Sequence, residues 1–323
     1  TKEHWDAEYA DPDGDENFDW LVNFADIADS VEQSLGGDKS KLILHLGSGN
    51  SLLPEDMRDR GYERQVATDI SEVCCENMRK RYRRLGISPG EIFFCGADCR
   101  DLLGGIRLKT TAGADSPEDK LVDRCCLHVD ELPAVPSDNV GVESENLILK
   151  DRLRHGTSDV SADNEDATLN RLLFPDDSYD MVLEKSVMDA MFCDDGDHAS
   201  AIMQYLREVH RILRADTGVF IVISMHKPSE VERYLRLRCF GWQVRSVALE
   251  DTTCGPRSGG GKSGAAPGGG PPRRKNYHYC YFCAGLDKSV LPREWGAVYA
   301  EVLRDPDVDP PRHLMAPAAD AAQ

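Results

Sequence analysis

Two glycines and a series of acids carry the chemistry that can be read from residue type and spacing. Gly47-x-Gly49 follows an apolar run, and Asp69 stands 20 positions after Gly49. Glycines let the backbone turn tightly and come close to a ligand, with a helix N-terminus behind them. An acid ending the next strand can accept both hydroxyls of a ribose. Asp98 and Cys99 end a third unit of the same kind, where a carboxylate can accept an exocyclic amino group. Glu184-Lys185-Ser186-Val187-Met188-Asp189-Ala190 follows a fourth. Glu184 is placed there to orient an ammonium or an incoming amine. Lys185 reads equally as a solvated charge, and Asp189 as an ordinary helix acid.

A dinucleotide fingerprint would place a third glycine at position 52, where this chain has Leu52. Close approach of a pyrophosphate is therefore not indicated, and a nicotinamide oxidoreductase is disfavoured. A nucleoside without a pyrophosphate fits better, which makes S-adenosyl-L-methionine the candidate cofactor. Gly49 and Asn50, in the same turn, are candidate cofactor-binding residues with Gly47.

The elements that must position these residues alternate. Lys41 to Leu46 is a near-continuous apolar run, the pattern of a buried parallel strand. Strands are expected at Gln65–Thr68, Glu91–Cys95, Tyr179–Glu184, Gly218–Ser224, Trp242–Leu249 and Tyr277–Phe282. A helix is expected from about Asp19 to Leu35, stopped by Gly36-Gly37, and another from Ser71 to about Arg84. Ile202, Leu206, Val209 and Leu213 recur at helical spacing within 199–214. The fold class is thus α/β: a Rossmann-like, seven-stranded sheet, mostly parallel with an antiparallel last strand. The expected organisation is an N-terminal flap and helix over 1–40, a main domain over 41–285 and a C-terminal tail over 286–323. Insertions at about 104–171 and 255–275 interrupt the main domain. The first reads as largely disordered with a short element near 121–129, the second as a flexible Gly- and Pro-rich connection.

Composition narrows the function classes. The chain has 323 residues, 38 basic and 57 acidic, for a formal net charge of −19. Hydrophobic residues make up 41%, enough for a core, so wholesale disorder is excluded. No apolar run reaches the roughly 18 residues a membrane helix needs, so no membrane partner is expected. The acidic balance argues against nucleic acid and suits a basic protein partner. Eleven cysteines, including the adjacent pairs Cys74-Cys75 and Cys125-Cys126, do not form a disulfide framework. Without a visible leader they read as reduced thiols in the cytoplasm. Cys280-x-x-Cys283 lies in a strand pattern, which puts the two thiols on opposite faces and argues against a metal.

Several stretches together resemble class I S-adenosylmethionine methyltransferases, in particular the elongation-factor-1-alpha lysine methyltransferases of the methyltransferase-like 13 group. They are Trp5-Asp6-x-x-Tyr9, Phe18-Asp19-Trp20, Leu46-Gly47-Ser48-Gly49-Asn50-Ser51-x-Leu53, Asp69-Ile70-Ser71, Asp98 to Leu102, Glu184 to Ala190, Gly241-Trp242 and Tyr277-His278-Tyr279. The resemblance covers roughly 4–103 and 172–285. It implies that Trp5, Tyr9 and Trp20 line the cofactor from the N-terminal flap, and that Gly47 contacts its methionine part. Asp69 and Ile70 would hold ribose and adenine, Asp98 and Cys99 would flank the adenine, and Lys185 would close the site through its backbone. Ser48 stands where the family has Cys, Ile70 where it has an aromatic residue, and Ser186 where it has Gly. The implied activity is protein-lysine N-methylation of a translation elongation factor. A small-molecule methyltransferase and a non-catalytic cofactor-binding module are the alternatives.

Overall fold

Chain order reverses near the middle of a single sheet, and that reversal locates the site. The computed structural model describes residues 1–10, 19–102, 173–193, 198–215, 217–250 and 277–286. Strands β1 (Ile43–Leu46), β2 (Gln65–Asp69), β3 (Ile92–Gly96), β4 (Met181–Lys185), β5 (Val219–Ser224), β6 (Gln243–Glu250) and β7 (Tyr277–Ala284) form a 7-stranded sheet. Its order is β3-β2-β1-β4-β5-β7-β6. The first five strands are mutually parallel. β7 runs antiparallel to both of its neighbours. This is the expected α/β architecture with an antiparallel last strand.

Alternate residues of each strand enter different cores. Ile43, Met181, Ile221 and Cys280 pack on one face, while Leu44, Val182, Val222 and Tyr281 pack on the other. Strands covered on both faces are apolar throughout, which is why they read as continuous runs. Helices α2 (Phe24–Ser34) and α3 (Leu53–Asp59) cover the first face, with α4 (Glu72–Leu85) beside them. Helices α6 (His198–Ile212) and α7 (Pro228–Leu235) cover the second. Each buried aliphatic or aromatic side chain contributes about 1.5–3 kcal/mol relative to exposure. A short α1 (Lys2–Tyr9) lies against α4, and α5 (Val187–Phe192) follows β4 directly.

Local signals set the helix ends. The Ser71 hydroxyl accepts from the Cys74 N–H to cap α4, and Gly86 ends it at φ 72°. The periodic residues Ile202, Leu206 and Val209 are buried on α6 as their spacing predicts. The expected helix start at Asp19 is corrected. α2 begins at Phe24, because Asp26 accepts the Asn23 N–H in a capping box, and Leu21 just upstream is left-handed at φ 65°. Asp19 serves the site instead. Cys280 and Cys283 do lie on opposite faces, in different cores. The described cysteines are free thiols. Expectations for 104–171, for 255–275 and for the tail beyond Leu286 fall outside the described residues. Among the described residues no helix is long and apolar enough to cross a membrane.

Candidate functional site

In an open α/β sheet, ligands bind beyond the carboxyl ends of the strands where the order reverses. Here that point lies between β1 and β4, paired from Ile43↔Met181 to Leu46↔Glu184. Gly47, Gly49, Asp69, Asp98, Glu184 and Lys185 all sit at or just past these strand ends.

The glycine bend depends on having no side chains. Gly47 (φ 53°) and Gly49 (φ 55°) are both left-handed. A Cβ on Gly47 would lie 2.3 Å from the Val187 Cγ2 of α5. One on Gly49 would lie 2.6 Å from the Tyr9 hydroxyl oxygen. The bend is fixed from beneath, since the Ser48 N–H donates to the Thr68 carbonyl at 2.7 Å. A small hollow lies beside it, with Gly47, Ser48, Ser51 and Lys185 in its wall.

Asp69 ties the second strand to this bend. Its two carboxylate oxygens accept from the N–H groups of Gly49 and Ser71, each at 2.9 Å. An ionised carboxylate has about four lone-pair sites, so these donors do not use up its accepting capacity. Burial pushes its pKa up to about 6, against the lowering effect of the Ser71, Gly49 and Ile70 N–H groups. Asp98 follows β3, which pairs with β2 as far as Asp69↔Gly96. Its carboxylate is held by Arg100, with Nη2 to Oδ2 at 2.6 Å and Nε to Oδ1 at 2.9 Å. Burial acts to raise its pKa, but the Arg100 hydrogen bonds win and hold it below the usual range. Cys99 next to it is half-buried against the core, and burial pushes its thiol up. Ile70 is half-buried at the turn between Asp69 and Ser71.

The N-terminal segment reaches the same edge. Trp5 and Tyr9 stack at 6.1 Å between centroids on α1. Asp6 accepts from the Ser71 hydroxyl at 2.7 Å, and the Asn77 side chain donates to the Tyr9 carbonyl. This docking sets Tyr9 over Gly49, where burial and Asp69 push its phenol up. Trp20 is 47% exposed. The side chain of Lys185, only 6% exposed, anchors the chain before α2. Its ammonium donates to Asp19 at 2.5 Å, to the Val22 carbonyl at 3.2 Å and to the Ser51 hydroxyl at 3.2 Å. The Ser51 hydroxyl also bonds the Asp19 carboxylate, and Asn50 is half-buried beside it. Lys185 is therefore a buried tie rather than a solvated charge. Burial lowers its pKa, while Asp19 acts in the opposite sense.

Glu184 points to the other face. Its Oε2 accepts the Val187 N–H at 2.7 Å, and its Oε1 is buried without a partner. Burial, reinforced by Asp189, drives its pKa well above the carboxylate range. An unpartnered buried carboxylate oxygen is costly, and a cationic group arriving there would satisfy it. Ser186 between Glu184 and α5 is left-handed at φ 69°, and its hydroxyl is also buried without a partner.

Sequence reading missed His226. Asp189, read as a helix acid, is buried and accepts from the Met225 N–H at 3.0 Å, from the Ser224 hydroxyl and from His226. Only the fold brings these residues together, because α5 and the end of β5 are 35 or more positions apart. Among the described residues no group of three His, Cys, Asp and Glu is arranged to hold a metal.

No protein-family model matches this chain, and no curated protein sequence matches it. Solved structures resemble it at low sequence identity. One, described for conversion of a disulfide bond into a thioacetal group during echinomycin biosynthesis, has a TM-score of 0.43 at 14% identity, covering 90% of this chain and 95% of that one. The methyltransferase domain of bacterial CtHen1 has a TM-score of 0.41 at 10% identity, over 80% and 97%. Magnesium protoporphyrin IX methyltransferase from Synechocystis PCC 6803 has 0.40 at 10% identity, over 88% and 94%. At such identities none of their chemistry is carried over to this chain.

Proposed function

We infer that this chain is an S-adenosylmethionine-dependent methyltransferase and that its acceptor is a lysine of a basic protein, with a translation elongation factor as the first candidate. The observation that carries the reading is the crevice at the strand reversal. There a side-chain-free bend, a diol-competent Asp69 and the unpartnered Glu184 oxygen meet at one sheet edge. These features fit an adenosyl sulfonium with an amino-acid end.

Each residue then has a task. Gly47 and Gly49 present bare backbone to the methionine end. Asp69 accepts the ribose hydroxyls, with Ile70 against the base. Asp98 and Cys99 border the adenine, Asp98 facing its amino group from within the Arg100 pair. Glu184 takes the ammonium. Trp5, Tyr9 and Trp20 cover the group from the flap, and the Lys185–Asp19 tie keeps that cover in place. When bound, the sulfonium supplies an activated methyl group. The protein's part is to align the acceptor with it and exclude water. A lysine must be neutral when it attacks, although its ordinary pKa is about 10.4; burial of the amine on entering the site lowers that value. Aromatic faces such as Trp20, Tyr277 and Tyr279 favour the cationic sulfonium. The net charge of −19 supports a basic protein acceptor.

Calorimetry with S-adenosylmethionine tests the cofactor, and labelled cofactor with elongation factor 1-alpha tests the acceptor. The expected result is binding that Asp69→Ala abolishes, and label on a lysine. Absence of binding to the wild-type chain would overturn the reading.

A further inference from the structure

We propose that His226, held by Asp189, is the catalytic base that takes a proton from the methyl-accepting group; this rests on the methyltransferase reading. The two residues meet where β4 and β5 end side by side. Lys185 pairs with Ile223 across these strands, and the Ser186 N–H donates to the Ile223 carbonyl at 2.9 Å. Glu184 and the α5 N-terminus lie on the same edge, so the imidazole stands two strands from the glycine bend, with the end of β4 between them.

The hydrogen bonds settle which ring nitrogen is available. His226 Nδ1 lies 2.8 Å from Asp189 Oδ1. An ionised carboxylate only accepts, and Asp189 already accepts from Ser224 and Met225. The neutral ring must therefore carry its proton on Nδ1, which leaves the Nε2 lone pair free. Nε2 has no hydrogen bond among the described residues, and the side chain is 24% exposed. The ring is fixed further by Phe192, at 4.6 Å between centroids. Its backbone is fixed too: the His226 N–H donates to the Ser224 hydroxyl at 2.9 Å, and the Tyr281 hydroxyl donates to the His226 carbonyl at 2.7 Å.

A hydrolytic triad is a poor match to the same residues. The Ser224 hydroxyl meets the carboxylate instead of Nε2, and it is fully buried. Ser224 is thus a brace, and the working atom is Nε2.

The step is balanced as follows. The acceptor N–H bond breaks, its electron pair stays on the acceptor nitrogen, and the proton bonds Nε2. The imidazolium formed is paired with the Asp189 carboxylate through Nδ1–H. The acceptor lone pair is then free to bond the methyl carbon; the carbon–sulfur bond would break in the same displacement, its electron pair leaving with sulfur as a neutral thioether. The titratable and charged groups around the ring are Asp189 on α5, Glu184 behind it on β4, Lys227 beside it, Glu230 and Glu232 on α7, Tyr279 and Tyr281 on β7, and His198 on α6 across Phe192.

The first test needs no substrate. In the full chain labelled with nitrogen-15 histidine, NMR is expected to show His226 as the Nδ1–H tautomer, with Nε2–H appearing in Asp189→Asn. Finding Nε2–H in the wild-type chain would overturn the base role. The second test uses labelled S-adenosylmethionine with elongation factor 1-alpha and total lysate protein as acceptors. His226→Asn is expected to lower kcat by about 100-fold or more, while calorimetric cofactor affinity stays unchanged. The acid limb of the pH–rate profile is expected to disappear, and added imidazole should restore part of the rate to His226→Ala. An unchanged kcat and pH profile in His226→Asn would overturn the proposal. Absence of cofactor binding or of any transfer by the wild-type chain would instead overturn the methyltransferase reading beneath it.

Discussion

The Val187 Cγ2 stands 2.3 Å from the point where a side chain on Gly47 would begin. The bend and the first residue of α5 therefore exclude a Cβ between them, on top of the left-handed backbone at φ 53°. Gly47→Ala should cost about 1–2 kcal/mol for the backbone and about 1–3 kcal/mol for displacing Val187. In a Val187→Ala background only the first cost should remain. Urea unfolding of the two single variants and the double variant checks this, and equal costs in both backgrounds would refute the packing account.

Ser186 carries two penalties at one position: a left-handed φ of 69° and a buried hydroxyl without a partner. Glycine removes both. Ser186→Gly should stabilise the fold by about 1 kcal/mol, the left-handed penalty outweighing the added chain entropy of glycine. Thermal or urea unfolding reads this directly, and a lower melting temperature would contradict it.

Asp69 has a pKa of about 6 in the folded chain, above the roughly 3.9 of a free aspartate. The folded state thus binds this proton more tightly than the unfolded state does. The resulting stabilisation is full below about pH 3.9 and is lost as pH rises through about 6. On the proposed function, cofactor binding has the opposite sense, since only the ionised carboxylate would accept both ribose hydroxyls. Affinity for S-adenosylmethionine should fall about tenfold between pH 7 and pH 5. Calorimetry across that range should show the fall in the wild-type chain and a flat profile in Asp69→Asn.

Lys185 and Asp19 form a pair whose side chains are nearly enclosed, with Ser51 and the Val22 carbonyl as further partners. Removing one partner leaves a buried charge uncompensated, so Lys185→Met should destabilise by about 3 kcal/mol. Combining it with Asp19→Asn should cost less than the sum of the two changes, with a coupling of about 1–3 kcal/mol. A double-mutant cycle in urea measures this, and strict additivity would show that the tie contributes nothing. Cofactor affinity should fall in Lys185→Met, because the segment carrying Trp20 loses its anchor.

What the sequence discloses follows the range of the interactions. The Gly47–Gly49 bend, the strand before it and Asp69 belong to one β-α-β unit, so their spacing is written in adjacent residues. The Ser71 cap and the α6 stripe are equally local, and both stand where the pattern puts them. The Lys185–Asp19 tie joins residues 166 positions apart. The Asp189–His226 pair joins α5 to the end of β5 across 37 positions. Neither leaves a periodic trace, because what brings them together is the parallel pairing of β4 with β5 and the folding back of the N-terminal segment. The start of α2 departs from the sequence expectation for a related reason. Asp19 looks like a helix-opening acid until its tertiary partner is known.

The ladder between β6 and β7 runs from Gln243↔Ala284 to Glu250↔Tyr277. Its last pair lies at the sheet edge where Ser224 faces Tyr279. Eight pairs hold these two strands in step. β7 is thus clamped between two antiparallel neighbours, and a slip of one residue along either ladder would turn its whole apolar set toward the wrong core. The far edge of the sheet is therefore kept in register by two partners at once.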